Sequence, residues 1–221
     1  MMENKNGKII DGRFFINNDW YPGGLPSNIK LDKYAYPETS FSFASFYSKL
    51  SEGFALGFAS GNYGAGNFWV GPNGKVTVGK YVILNSTNIL CNRQITIGDH
   101  CMFAWGTVIT DTWLDARAFN AGHRKSLLFE LAHSNVRFPE FSEHAKPVIV
   151  EDNVWVGFDA VILPGVTLGR GCIVGSRTVI SESVPPYAVI VGNPARIVKF
   201  LNPDDTEEAK QQAMKEYRVL M

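Results

Sequence analysis

Val150-Glu-Asp-Asn-Val-Trp155, Val156-Gly-Phe-Asp-Ala-Val161, Ile162-Leu-Pro-Gly-Val-Thr167, Leu168-Gly-Arg-Gly-Cys-Ile173, Val174-Gly-Ser-Arg-Thr-Val179 and Ile180-Ser-Glu-Ser-Val-Pro185 follow one another without a break in period. The first position is always aliphatic: Val150, Val156, Ile162, Leu168, Val174, Ile180. The fifth is always small or β-branched: Val154, Ala160, Val166, Cys172, Thr178, Val184. A 3.6-residue helix does not repeat every six residues, and neither does a strict two-residue alternation. A triangular coil does, because each short flat strand supplies one aliphatic knob and the next bend one compact residue. Both positions are therefore expected to point inward. Gly157, Gly169 and Gly175 at the second position, and Pro164-Gly165, are expected at tight corners where φ turns positive.

An earlier block keeps the rule less cleanly. Ile97-Gly-Asp-His-Cys-Met102 and Phe103-Ala-Trp-Gly-Thr-Val108 obey it, while Val78 to Ile83 and Leu84 to Ile89 obey it one residue out of register, with a slip near Leu90 to Gln94. The expected fold is all-β, a left-handed parallel β-helix with a long loop excursion and a C-terminal α-helix. Coils of such a solenoid bury only each other, so its ends need caps. Residues 1–72, rich in aromatics and glycine from Trp20 to Phe68, are read as an irregular N-terminal cap and first coils. The helical prism itself is read over 73–202. Residues 203–221 carry an N-cap candidate, Asp204 or Asp205, and Ala209, Ala213, Tyr217 and Leu220 at helical spacing, which predicts the terminal helix.

The period fails over about 114–147, and long departures from a regular scaffold carry function or are disordered. Phe119, Leu127, Leu128, Phe129, Leu131, Phe138 and Phe141 are too many large apolar groups for a free linker, so the excursion is expected to pack, on its own prism or a neighbouring subunit. Three of the four histidines, His123, His133 and His144, fall in it, and His100 sits at an outward hexad position. Loop histidines are often plain surface residues, but the set points to chemistry.

Composition excludes several classes. Lys plus Arg and Asp plus Glu number 21 each and no dense basic stretch occurs, which argues against nucleic acid or an anionic membrane surface as partner. The opening MMENKNGKIIDGRF lacks the apolar core of a signal peptide, and no segment approaches the roughly 20 apolar residues of a membrane span. A cytoplasmic location is expected. Cys91, Cys101 and Cys172 are read as reduced core residues.

Ile95-Thr-Ile-Gly-Asp99, Val154-Trp-Val-Gly157, Leu163-Pro-Gly-Val-Thr167, Val184-Pro-Pro186 and Gly192-Asn-Pro-Ala-Arg196 together resemble the hexapeptide acyltransferases. The likeness is to the galactoside, maltose and Nod-factor O-acetyltransferases and the xenobiotic acetyltransferases, over about residues 74–200. It implies a homotrimer with active sites at subunit interfaces, acetyl-CoA or another acyl-CoA as co-substrate and no metal. In that family a histidine acts as general base on the acceptor hydroxyl and a backbone amide holds the oxyanion. By the same resemblance, Trp155 and Gly157 line the pantetheine arm, Ser176 approaches the cofactor, and Arg196 and Lys199 bind coenzyme A phosphates, as an anionic ligand requires. Arg170 and Arg177 are weaker candidates for the same task.

The sequence departs from the family at the base. Where the O-acetyltransferases carry Asp-x-Asp-x-His, this chain has Asp111-Thr-Trp-Leu-Asp115, with Asp115 at or beside the histidine position. Three accounts stay open. His123, in Asn120-Ala-Gly-His-Arg-Lys125, takes over, echoing the Asn-His-Arg turn of the xenobiotic enzymes. Alternatively His144 or His133 swings in. Alternatively Asp111 or Asp115 is the base, or the acceptor is an amine needing little help. The leading expectation is O-acylation of a sugar or glycan hydroxyl, with amino-sugar N-acylation as runner-up. Two other readings are a catalytically silent trimeric scaffold and a zinc carbonic anhydrase on the same prism, the latter opposed by the histidine spacing.

Overall fold

The computed structural model describes residues 7–112, 120–133, 144–203, 208 and 211. The chain winds through three parallel faces in turn. The first carries Ile29–Leu31, Phe54–Leu56, Lys75–Val78, Gln94–Ile97, Val148–Val150 and Thr167–Leu168. The second carries Tyr36–Pro37, Gly61–Tyr63, Ile83–Asn85, Met102–Phe103, Trp155–Val156, Ile173–Val174 and Ala188–Val191, then an antiparallel edge strand, Arg196–Phe200. The third carries Phe68–Val70, Asn88–Cys91, Val108–Thr110, Val161–Ile162 and Val179–Ile180. An antiparallel hairpin, Gly7–Ile10 with Arg13–Ile16, precedes the first coil. Coils thus begin at Ile29, and the aromatic stretch fills them: Phe43, Phe54 and Phe68 pack ring against ring inside the prism.

The hexad rule explains the core. Val150, Val156, Ile162, Leu168, Val174 and Ile180 are buried, and so are Val154, Ala160, Val166, Cys172, Thr178 and Val184. Each aliphatic knob stands in register over its counterpart one coil earlier, for example Val156 over Phe103 and Leu84. Backbone groups pair upward and downward, as in Trp155 N–H to Cys172 C=O at 3.1 Å. The irregularity has local causes: the buried knobs Leu84 and Ile89 stand five positions apart, one short of the period, and Ile89 and Ile97 stand eight apart, two beyond it, across Leu90 to Gln94.

The corners correct one expectation. Gly157, Gly169 and Gly175 are absent from the residues with positive φ. The left-handed residue is instead the fourth of the hexad: Asn153 (φ 61), Asp159 (φ 53), Gly165 (φ 84), Gly171 (φ 65) and Arg177 (φ 58). The second-position glycines serve close approach. A Cβ on Gly157 would lie 2.6 Å from Ser176 N and 2.8 Å from Ser176 Oγ, and one on Gly169 would lie 2.5 Å from Pro186 N. Stacked coils leave no room for a side chain there.

The excursion is partly helical: α1 spans Ala121–His133. Asn120 caps it, its side-chain oxygen accepting from Gly122 N at 2.9 Å and His123 N at 3.3 Å. Leu127, Leu128, Phe129 and Leu131 are spread around it in sequence and mark no single apolar stripe, so periodicity gave little sign of it. Leu128 and Phe129 are exposed on it. The expected helix over 203–221 falls almost wholly outside the described residues. No helix among the described residues is long and apolar enough to cross a membrane.

Candidate active site

The second face and its corner with the third gather most of the residues expected to hold a cofactor. Its outward positions form one continuous column, Tyr36, Gly61, Ile83, Met102, Trp155, Ile173, Val189 and Lys199, in direct strand register. The alternation that buries Val156, Val174 and Ile190 turns Trp155, Ile173 and Val189 outward. Trp155 is 48% exposed, so its indole is not a core group. Lys199 stands three strands beyond it, about 14 Å away at the ordinary strand spacing. Arg196 pairs with Val191 at the other end of the same edge strand. That strand is exposed throughout and exists because Gly192-Asn-Pro-Ala turns the chain back, with Gly192 N donating to Thr178 Oγ1 at 3.0 Å.

At the corner between the second and third faces, Gly157 abuts the Gly175-Ser176 backbone of the next coil. Ser176 is exposed there, and so is Arg177, whose Nε lies 3.7 Å from Asp159 Oδ2. Trp105 and Phe158 sit at the same corner of adjacent coils, stacked at 5.7 Å and 11°, each half exposed. Sequence reading passed over this pair. The signal was there: Trp105 and Phe158 are aromatic at the third, outward position of their hexads, where Asp152, Pro164, Arg170, Ser176 and Glu182 stand elsewhere. Arg170, by contrast, lies at the corner between the first and second faces, where it pairs with Asp152 at 3.5 Å.

Asp111 lies at the opposite corner, between the third and first faces, and is fully buried. Its Oδ1 accepts from Asn92 N at 2.8 Å, and its Oδ2 accepts from Arg93 N and Gln94 N at 2.7 Å each and from the Cys91 thiol at 3.4 Å. Burial raises its pKa above the usual carboxylate value, against the opposing pull of these donors. The same residue roots the excursion: its carbonyl accepts from Lys146 N at 2.7 Å, and the Lys146 carbonyl accepts from Gly165 N at 3.1 Å. A carboxylate so enclosed holds the turn of the preceding coil and offers nothing to solvent.

The histidines do not converge. His123 is exposed in the first turn of α1, and His133 closes that helix with its Nδ1 against the Phe129 carbonyl at 2.8 Å. His144 is exposed beside Ala145, at the Asp111 corner. His100, in the left-handed region at φ 60, stacks on Tyr81 at 5.2 Å. Asp115 lies outside the described residues. Among the described residues no three His, Cys, Asp or Glu side chains group as a metal site. The three cysteines are free and buried, and burial pushes Cys101 and Cys172 up to about 12. They are inert core groups.

Residues 147–182 match the bacterial transferase hexapeptide (six repeats) family. A chloramphenicol acetyltransferase of Agrobacterium fabrum is 29% identical over 51% of this chain and 54% of its own length. A hexapeptide-repeat-containing acetyltransferase of Vibrio cholerae O1 biovar eltor, solved with acetyl coenzyme A, is 28% identical with a TM-score of 0.50, covering 66% of this chain and 70% of that one. An N-acyltransferase of Bacillus cereus, 18% identical with a TM-score of 0.56 over 86% of this chain and 89% of that one, shows likeness of fold alone. Residues 147–182 thus carry the hexapeptide repeat, and a second curated protein similar to the chain, from Escherichia coli, is also a chloramphenicol acetyltransferase, 30% identical over 48% of this chain and 51% of its own length. The chain spans about half the length of the curated relatives it matches.

Proposed function

We propose that the protein is a coenzyme A-dependent acyltransferase that moves an acetyl or other acyl group to a hydroxyl of a sugar or glycan-type acceptor. The carrying observation is the outward column of the second face, in which Trp155 and Lys199 share one line beside the Gly157–Ser176 corner. An apolar strip ending in cations suits a flexible arm with anionic groups at one end. The acetyl coenzyme A bound by the Vibrio cholerae neighbour and the acetyltransferase relatives favour the same donor. In this reading Trp155 and Gly157 line the pantetheine arm, Ser176 faces it, and Arg196 and Lys199, aided by Arg177, hold the phosphates.

The winding is the left-handed one that hexapeptide repeats imply, and the working unit is a homotrimer. Within one prism His144 and the excursion root belong to the Asp111 corner, while Gly157 and Ser176 belong to the next corner round. A neighbouring prism brings one subunit's excursion to another's second face. The exposed Leu128 and Phe129 of α1 suit that contact.

His123 is the proposed general base: its imidazole takes the acceptor hydroxyl proton as the oxygen attacks the thioester carbonyl. A backbone N–H steadies the oxyanion, the C–S bond then breaks, and the coenzyme leaves as its thiol with the proton. His144 and Asp115 are the reserve bases, and Asp111 positions the excursion. The test is release of coenzyme A thiol from acetyl-CoA with hydroxyl and amino sugars as acceptors, on wild type and on His123→Ala, His144→Ala and Asp111→Ala. Release with hydroxyl sugars, lost in His123→Ala, supports the reading. Release with amino sugars alone replaces O-transfer by N-transfer, and no release with any acceptor leaves a binding scaffold.

A further inference from the structure

We infer that the stacked Trp105–Phe158 pair is the acceptor platform: it seats one pyranose ring of a saccharide at the corner between the second and third faces. The inference rests on the acyltransferase reading for its place in a reaction, but the binding it predicts is independent of it. Three observations carry it. The two rings lie nearly parallel, at 11°, on adjacent coils, so each covers one face of the other and leaves the rest of its surface open, at 55% and 50% exposure. Two adjoining aromatic rings open to water make a small contiguous apolar patch, the kind of surface that takes a ligand. These two are held firmly, because Asp159 N donates to Trp105 C=O at 3.0 Å and Arg177 N to Phe158 C=O at 2.7 Å, tying three coils together at the pair.

The second observation is the chemistry beside the rings. Asp159 lies next to Phe158, its carboxylate against Gly106, whose lack of a Cβ makes the space. The Arg177 guanidinium lies 3.7 Å from that carboxylate. An apolar face with a carboxylate at its edge, steadied by Arg177, matches a sugar ring, which offers a patch of C–H groups on one side and hydroxyls at its rim. The rings take the C–H patch, and the Asp159 oxygens accept from the hydroxyls.

The third is position. Gly157, which meets Ser176 at 2.6 Å, immediately precedes Phe158. A ring on the pair therefore sits beside the segment proposed to hold the cofactor arm, where a hydroxyl acceptor has to be.

The test uses the full chain and two readouts. Saturation-transfer NMR is recorded with methyl glucoside, methyl galactoside and methyl N-acetylglucosaminide, and calorimetry with coenzyme A, on wild type, Trp105→Ala, Phe158→Ala and Phe158→Tyr. At least one glycoside is expected to receive saturation from wild type. Its affinity should fall about tenfold in each alanine variant, the size of one lost ring contact, and return in Phe158→Tyr. Coenzyme A affinity should be unchanged throughout. No glycoside bound by wild type, equal binding by the alanine variants, or a parallel loss of coenzyme A affinity each overturns the platform. Wild type that binds a glycoside but neither coenzyme A nor releases its thiol overturns the acyltransferase reading and leaves the platform standing. Both rings are half exposed, so the alanine variants are expected to melt with wild type, and matching melts confirm that a lost signal is local.

Discussion

Asp111 Oδ2 and Gln94 N are joined by a 2.7 Å hydrogen bond that crosses from one coil to the one before it, at a corner where Asp111 itself is fully buried. With Asn92 and Arg93 also donating, three successive amides of one turn depend on a single carboxylate. Removing it leaves those donors without their acceptor, the Asn92 amide in a buried position. Asp111→Ala is expected to lower unfolding stability by on the order of 3 kcal/mol, read from the denaturant midpoint. A change within error would mean the turn holds itself.

The same carboxylate gives stability a pH signature. Its pKa in the fold lies above the ordinary 3.8, burial outweighing the donors, so the fold binds that proton more tightly than the unfolded chain does. Its contribution is then fully present below the ordinary value and declines as pH rises through the raised one. The stability difference between wild type and Asp111→Asn should accordingly be most favourable to wild type in acid and shrink toward neutral pH. Melting temperatures of both proteins across that range check the sign, and a difference growing with pH would refute it.

Gly157→Ala tests close approach rather than conformation. The new Cβ would fall 2.6 Å from Ser176 N, so one coil must move off the next, at about 1 to 3 kcal/mol. Asp159→Gly, at the left-handed φ of 53 two residues on, should not destabilise through the backbone. Paired thermal melts distinguish the two.

Lys199→Ala and Arg196→Ala change exposed cations on the edge strand. Each is expected to weaken coenzyme A binding about fivefold, with kcat unchanged, since exposed charges contribute modestly. The loss should narrow as salt is raised. Calorimetry with coenzyme A at two ionic strengths measures both.

His123→Ala should lower kcat for thiol release by about a hundredfold or more, the range of a lost general base, and leave the coenzyme A Kd alone. His144→Ala should stay within a few-fold of wild type. The reverse ranking would move the base to the Asp111 corner.

What the sequence made legible followed from side-chain polarity. Positions one and five of each hexad have only one inward solution, so Val150 to Val184 could be placed before any coordinates. The corners were harder, because two needs, left-handed φ and close approach, both call on glycine. Composition alone assigned Gly157 to the first when it serves the second. The helix at Ala121–His133 was hard to read because Leu127, Leu128, Phe129 and Leu131 mark no single apolar stripe in sequence, and Leu128 and Phe129 are exposed on it. Trp105 and Phe158 escaped notice because the excursion parts them in sequence while the ladder makes them neighbours. Trp155 and Lys199 were each put forward by likeness, but that they share a column needed the strand register.

The hydrogen bond from Lys146 N to Asp111 C=O lets the polypeptide leave the ladder and return with the rise of the next coil unaltered. Everything between is invisible to the pitch of the prism. Entropy charges only logarithmically for the length of such a detour. The two anchors therefore act as a cassette socket: segments of other lengths and compositions could be grafted between them without re-threading a single buried knob.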